Sequence, residues 1–352
     1  MVPSIPGSTR RARPALRPID LHSARRLAVL AAALVVSLGA AVPSAAPVAG
    51  AAAPAATSTL AVPGPVAALG SRPKTADRPV PANIRPAIAR AARDFPKPYF
   101  DGCHVEQDGG LPDDIGCTYG RIDGSKTIVL FGDSHALSWF PAVEKMALRK
   151  GWRLLSLTMS ACTPAEIPAY MPKSRSVSEP CAEWRDATLG LIELIRPAVV
   201  LAAGTRGFAT VDASRSLLTG AARTVAWEAG VERTIDRLKS SGARVIWIAD
   251  TPIARVNPPS CLAHHMRSTL ACATPVPYAV NAAWLSEEHL VTQVESVGFI
   301  DPSLWVCPTS PCPAVIGNLL VYRDAGHMTA TFMASLSTRL EKAVLADLAA
   351  HP

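Results

Sequence analysis

Beyond residue 42 the sequence has no apolar run long enough to cross a bilayer, so from that point a polytopic membrane protein is excluded. It has no internal repeat, which excludes a solenoid. There is no close Cys-x2-Cys pair, and His264 and His265 beside Cys261 lack the ligand spacing of a structural zinc site. Those histidines read as a solvated loop, and no metal is expected. Positive charge is also scarce outside the leader. Residues 1–26 set Arg10, Arg11, Arg13, Arg17, Arg25 and Arg26 against Asp20, a net +5 of the chain's +7. The remainder carries only +2, so no nucleic-acid partner is expected.

What is present begins with those arginines, followed by the weakly polar to apolar run Leu27–Val42 and a string of small residues. This is the layout of an export signal, and residues 1–46 read as a signal peptide or an uncleaved signal anchor. The run has 16 residues against the roughly 20 of a comfortable span, which favours cleavage. Residues 47–97, rich in Ala and Pro, offer no periodic apolar face and read as a disordered linker or tether, with order beginning near Pro96. The globular part is then 98–352, and with 49% hydrophobic residues the chain can fill a substantial core. It is expected to lie outside the cytoplasm. All eight cysteines fall within it, in short-range couples that suit an oxidising compartment: Cys103 with Cys117, Cys162 with Cys181, Cys261 with Cys272, and Cys307 with Cys312.

Short aliphatic runs at Thr127–Phe131, Arg153–Thr158, Ala198–Ala203 and Arg244–Ala249 read as strands, and their near-continuous apolarity implies a sheet buried on both faces. Helical patterns alternate with them at Leu137–Lys150, Ala182–Ile195 and Val225–Ser240, followed by Tyr278–Val297 and a closing helix at Thr329–Ala349. Such alternation predicts an α/β fold with a parallel, doubly wound sheet. The Pro-rich stretch Pro252–Pro277 reads as an excursion over the sheet's edge.

Ligands of such sheets bind beyond the carboxyl ends of the strands. Gly132-Asp133-Ser134-His135 sits there, with Gly132 at the turn and Ser134 at the mouth of the next helix, where its N–H faces any bound oxyanion. On this segment alone Ser134 is as readily a helix cap as a nucleophile. Tyr322-Arg323-Asp324-Ala325-Gly326-His327-Met328-Thr329 breaks the tie. A serine alkoxide needs a base, and His327 can take the Ser134 proton through one ring nitrogen while Asp324 fixes the tautomer through the other. Asp133 and His135 are expected to hold the turn by hydrogen bonding.

Together these segments, with Trp139, Pro141, the stretch Leu157–Cys162 and the Cys307–Cys312 couple, resemble the SGNH (GDSL-like) hydrolase superfamily, in particular the SGNH domains fused to membrane acyltransferases of the acyltransferase-3 family. The resemblance covers roughly 98–345. It implies a three-layer α/β/α, flavodoxin-like fold and a Ser134, His327, Asp324 site acting on O-acyl esters, often acetyl groups of envelope sugars, without cofactor. The chain looks like a stand-alone version, so a separate membrane acyltransferase is the partner it implies. One departure stands out. Where the superfamily has a Gly-x-Asn-Asp oxyanion segment, this chain reads Ala203-Gly204-Thr205-Arg206-Gly207. The oxyanion donors are therefore sought at Ser134, Ser160, Ala161, Thr205 and Arg206, with a solvent-facing Arg206 the equal alternative.

An α/β-hydrolase is the enzymatic rival, but its elbow wants Gly at Ala136 and takes its acid and histidine from separate loops. The expected activity is that of an extracytoplasmic serine O-acyltransferase or acylesterase on carbohydrate. The alternatives are a simple secreted esterase of carbohydrate or lipid, and a non-catalytic carbohydrate-binding domain.

Overall fold

The computed structural model describes residues 72–107, 110 and 117–350. The expected export segment, and the linker as far as residue 71, lie outside the described residues. The centre is a seven-stranded sheet of β1 (His104–Val105), β2 (Thr118–Gly120), β3 (Thr127–Gly132), β4 (Arg153–Met159), β5 (Val199–Ala203), β6 (Arg244–Ile248) and β7 (Gly298–Ile300). Its order is β1-β4-β3-β5-β6-β7, all pairs parallel, with β2 antiparallel beside the first half of β4. Counted from β3, the main strands run 2-1-3-4-5, the flavodoxin-like order, whose switch point falls between β3 and β5.

Helices cover both faces. They are α1 (Ser134–Ser138), α2 (Phe140–Lys150), α3 (Glu179–Ile195), α4 (Gly220–Ser240), α5 (Ala282–Val294), α6 (Ala330–Ser335) and α7 (Ser337–Ala350). Successive strand side chains point to opposite faces, so one strand feeds two cores. Ile128 and Leu130 of β3 pack with Phe140, Met146, Leu340 and Val344. Their neighbours Val129 and Phe131 pack with Trp184, Ile192, Val231 and Ile235. The result is the expected three-layer sandwich.

Local chemistry sets the element ends. Ser178 caps α3 by accepting from the Cys181 amide, and Gly151, at φ +66°, ends α2 in the left-handed conformation a side chain would strain. The expected helix at Tyr278–Val297 is split. Val280 is extended, and the Asn281 side chain accepts from the amides of Ala283 and Trp284 to start α5 afresh. The closing helix is split likewise at Leu336. Inside Pro252–Pro277 lies a short helix, Pro258–His264, ending in exposed His264 and His265.

All eight cysteines are paired, 103–117, 162–181, 261–272 and 307–312. Order starts well before Pro96, which corrects the linker reading for its described part. Thr75 donates to Ser310 O and Leu320 to Arg85 O, while Val80 and Ala91 join a small core with Leu262, Cys272 and Leu320. Among the described residues no helix is long and apolar enough to cross a membrane.

Candidate active site

Ser134 stands two residues past the end of β3, at the switch point of the sheet. The chain turns there because Gly132 adopts φ +142° and lies so close to β5 that an added Cβ would stand 1.8 Å from Ala203 O. Asp133 fixes the next step. Its fully buried carboxylate accepts from the amides of His135 (2.8 Å) and Ala136 (3.4 Å), and from Thr205 N on the neighbouring loop (2.9 Å). Burial pushes this carboxyl above its ordinary pKa, against the opposing charge of His135 and the Thr205 amide. The first amides of a helix have no partner within it. Asp133 serves those of His135 and Ala136, which leaves the N–H of partly exposed Ser134 available to a ligand.

His327 arrives from the loop between β7 and α6. Its Nε2 is 2.9 Å from Ser134 Oγ, and its Nδ1 lies 3.0 Å from each carboxylate oxygen of Asp324. Asp324 also organises the loop by accepting from the amides of Gly326 and His327, both at 2.8 Å. Burial opposes its ionisation, but the His327 hydrogen bond and charge and those amides outweigh it, holding the carboxyl down at about 2. An ionised Asp324 places the imidazole proton on Nδ1 and leaves Nε2 a lone pair facing Ser134 Oγ. The three residues read together from the two ends of the sequence are thus one unbroken hydrogen-bonded chain.

The other residues sought as oxyanion donors separate. Ser160 N–H is taken by Val105 O (2.7 Å), and its hydroxyl is 3.0 Å from His104 Nε2. His104 is bonded at Nδ1 to Thr158 Oγ1, and burial, with Arg323 and His327 nearby, brings its pKa down to about 4. Ala161 follows at φ +51°, and no group among the described residues accepts its N–H. Gln107 secures this turn by donating to the carbonyls of Ser160 and Ala161. The Thr205 amide belongs to Asp133, as described, and the Thr205 hydroxyl, the group sought there, accepts from the Gly207 amide of its own loop at 3.2 Å. Arg206 faces neither solvent nor the site. Its side chain is 1% exposed, lies 3.9 Å over the Trp227 ring and pairs with Glu287 at 2.6 Å, while its amide donates to Asp250. Trp305 packs edge-on to Trp139 against the core.

The sequence reading missed one pair. His135 Nδ1 is 2.6 Å from Asp250 Oδ1, and the His135 ring meets that of His327 at 5.1 Å. Burial disfavours the charged form, but Asp250 first, then Asp133 and Asp324, raise the His135 pKa to about 9. Asp250 stands two residues past β6, at the carboxyl end of a parallel strand, so the positional rule that singled out Ser134 applies to it equally. Among the described residues no cluster of His, Cys, Asp and Glu has the makeup of a metal site.

Several solved structures are similar to this chain. The periplasmic domain of a lipopolysaccharide acetyltransferase from Salmonella ser. Paratyphi A is 19% identical, with 64% of this chain and 86% of that chain covered at a TM-score of 0.50. An acetyl xylan esterase is 12% identical over 62% of this chain and 99% of that chain, TM-score 0.37. An acetyl-xylooligosaccharide esterase from Geobacillus Stearmophilus is 11% identical over 64% and 96%, TM-score 0.35. No curated protein matches the chain. The chain shares its fold with the lipopolysaccharide acetyltransferase periplasmic domain. A family description, SGNH domain (fused to AT3 domains), matches residues 102–342, so it is to this family of SGNH domains that the chain belongs.

Proposed function

We propose that the protein is an extracytoplasmic serine O-acyltransferase or acylesterase, acting on O-acyl, chiefly acetyl, groups of cell-envelope carbohydrate through an acyl-Ser134 intermediate. The observation that carries this reading is the Asp324–His327–Ser134 hydrogen-bonded chain at the switch point of the sheet. His327 Nε2 takes the Ser134 proton as Oγ attacks the ester carbonyl, and Asp324 steadies the imidazolium. The amides of Ser134 and Ala161 are the donors best placed for the oxyanion. Collapse of the tetrahedral intermediate expels the alcohol, which takes the proton from His327 and leaves acyl-Ser134. Water or a sugar hydroxyl then repeats the sequence in reverse. These are proton and acyl transfers that require no cofactor. Four disulfides support a location outside the cytoplasm, and the family's fusion to AT3 domains supports a membrane acyltransferase as the donor partner.

The test is aryl-acetate turnover by the folded protein. Ser134→Ala and His327→Ala are expected to lose activity by about a thousandfold or more, with Asp324→Asn keeping a small residue. Unchanged turnover in Ser134→Ala would refute the assignment. Supplying an activated acetyl donor together with envelope glycan fragments then separates transfer from hydrolysis: acetylated glycan supports transfer, and free acetate alone at every acceptor concentration leaves the esterase.

A further inference from the structure

Past the carboxyl ends of β5 and β6, on the side of Ser134 away from β4, lies a cavity of about 380 Å3. That is within the roughly 300–1,000 Å3 of small-ligand sites. Arg206 borders it from the loop after β5, Asp250 from the loop after β6, and Tyr278, Asn281, Trp284 and Glu288 from α5 and the turn before it. Ser134, Asp324 and His327 are not among its lining residues, and the His135 imidazole stands between it and the serine site. Asp250 holds His135, the residue after Ser134, and the His135 ring touches that of His327.

The charges around the cavity are already matched. Asp250 is paired with His135 and Arg206 with Glu287, each at 2.6 Å. Glu288 is fully buried, bonded by Trp247 Nε1 and the Asp250 amide, and burial beside the Asp250 charge pushes its carboxyl up to about 8. Among the lining groups a charged ligand would find no unpaired counter-charge; Arg223, 5.1 Å over the Trp284 ring, is held by the carbonyls of Arg206 and Phe208 and lies in the field of Glu287. Two features instead suit a ring with apolar faces and hydroxyl edges. Trp284 is partly exposed and Tyr278 is 50% exposed, which gives aromatic surface for the C–H faces of a sugar. The Asn281 side chain is exposed, and while its oxygen accepts from the amides of Ala283 and Trp284 to cap α5, its amide nitrogen bonds no group among the described residues.

We infer that this cavity is the subsite for the alcohol half of the ester, holding a neutral pyranose ring against Trp284 and Tyr278, with hydroxyls bonded by Asp250 and Asn281. The inference rests on the acyl-Ser134 reading for its chemistry. One further hydroxyl of the bound sugar gives its proton to His327 Nε2 as its oxygen attacks the acyl carbonyl, and Ser134 Oγ leaves with that proton. A ring held there with one hydroxyl reaching acyl-Ser134 would compete with water through its high effective concentration.

The experiment uses full-length protein carrying Ser134→Ala, so that binding is read without turnover. It is titrated by calorimetry with the methyl glycosides of glucose, mannose, rhamnose and N-acetylglucosamine, and with methyl glucuronide as the charged control. At least one neutral glycoside is expected to bind saturably, and to weaken about tenfold when Trp284→Ala or Tyr278→Ala is added, an effect of aromatic contact size. Trp284→Phe should retain most of the binding. Thermal melting shows which variants are folded, and Tyr278→Ala, at an exposed position, keeps the test open if Trp284→Ala is not. Saturable binding by none of the neutral glycosides, tighter binding of the glucuronide, or binding that survives both alanine variants overturns the subsite. Aryl-acetate turnover by the unaltered protein reads the acyl-Ser134 proposal separately. Sugar binding without turnover sinks that proposal and keeps the subsite; turnover without sugar binding does the reverse.

Discussion

At the scale of single residues, the site depends on two positions that never touch a substrate. Gly132 combines φ +142° with a β5 carbonyl 1.8 Å from where a Cβ would lie, so no rotamer change can make room for a methyl group. Gly132→Ala is expected to separate β3 from β5 or prevent folding, seen as a large drop in melting temperature or in soluble yield; a variant as stable and active as the parent would contradict the geometry. Asp133 is the complementary case. Its carboxylate joins the turn to the Thr205 loop through three amides, and Asn is isosteric but turns an N–H2 toward one of them. Leaving a buried donor unmatched costs roughly 1–3 kcal/mol. Urea unfolding of Asp133→Asn should show a loss of that order together with reduced turnover.

At the scale of elements, the N-terminal segment clamps the loop that carries His327. Asp94 accepts from Ala330 N through its carbonyl (3.0 Å) and from Thr331 N through its side chain (2.9 Å), helping Thr329 start α6. Phe95 and Tyr99 flank Arg323, next to Asp324. Asp94→Ala is expected to cost about 1 kcal/mol, typical of a lost helix cap. It should lower turnover as well, measured by urea melts and aryl-acetate kinetics on one preparation; unchanged values in both would show the clamp to be idle. This segment was illegible in the sequence because its partners, Ser310, Asn318 and Leu320, lie more than two hundred residues away and it has no periodic apolar face. The long strands were legible for the opposite reason, since burial on both faces writes itself as continuous apolar runs. The three-residue β7 is too short for that signal. The serine and histidine loops were readable because each carries its chemistry within a few adjacent residues. The His135–Asp250 pair and the burial of Arg206 are created only when the ends of β3, β5 and β6 come side by side.

At the scale of the whole molecule, the strand ends gather buried ionisable groups whose shifts make stability depend on pH. His135 has its pKa raised from 6.5 to about 9, so the native state holds that proton more tightly than the unfolded chain. Its contribution is complete below about 6.5 and is lost as pH rises through 9. Glu288, raised from 4.5 to about 8 chiefly by burial, acts in the same direction: it favours folding while protonated, and the advantage shrinks as pH climbs from 4.5 through 8. Asp324 works oppositely. Its pKa is lowered from 3.8 to about 2, so its contribution is present above 3.8 and disappears as pH falls through 2. The melting temperature should therefore be highest in mildly acidic solution and decline between pH 6.5 and 9. In Glu288→Gln, which fixes the neutral form, the decline should be shallower, and in His135→Gln, which removes the titrating ring, shallower again with a lower melting temperature at pH 6. Calorimetric scans at intervals from pH 5 to 9.5 test this, and a parent protein that melts higher at pH 9 than at pH 6.5 would overturn the coupling assigned to His135, Asp250 and Glu288.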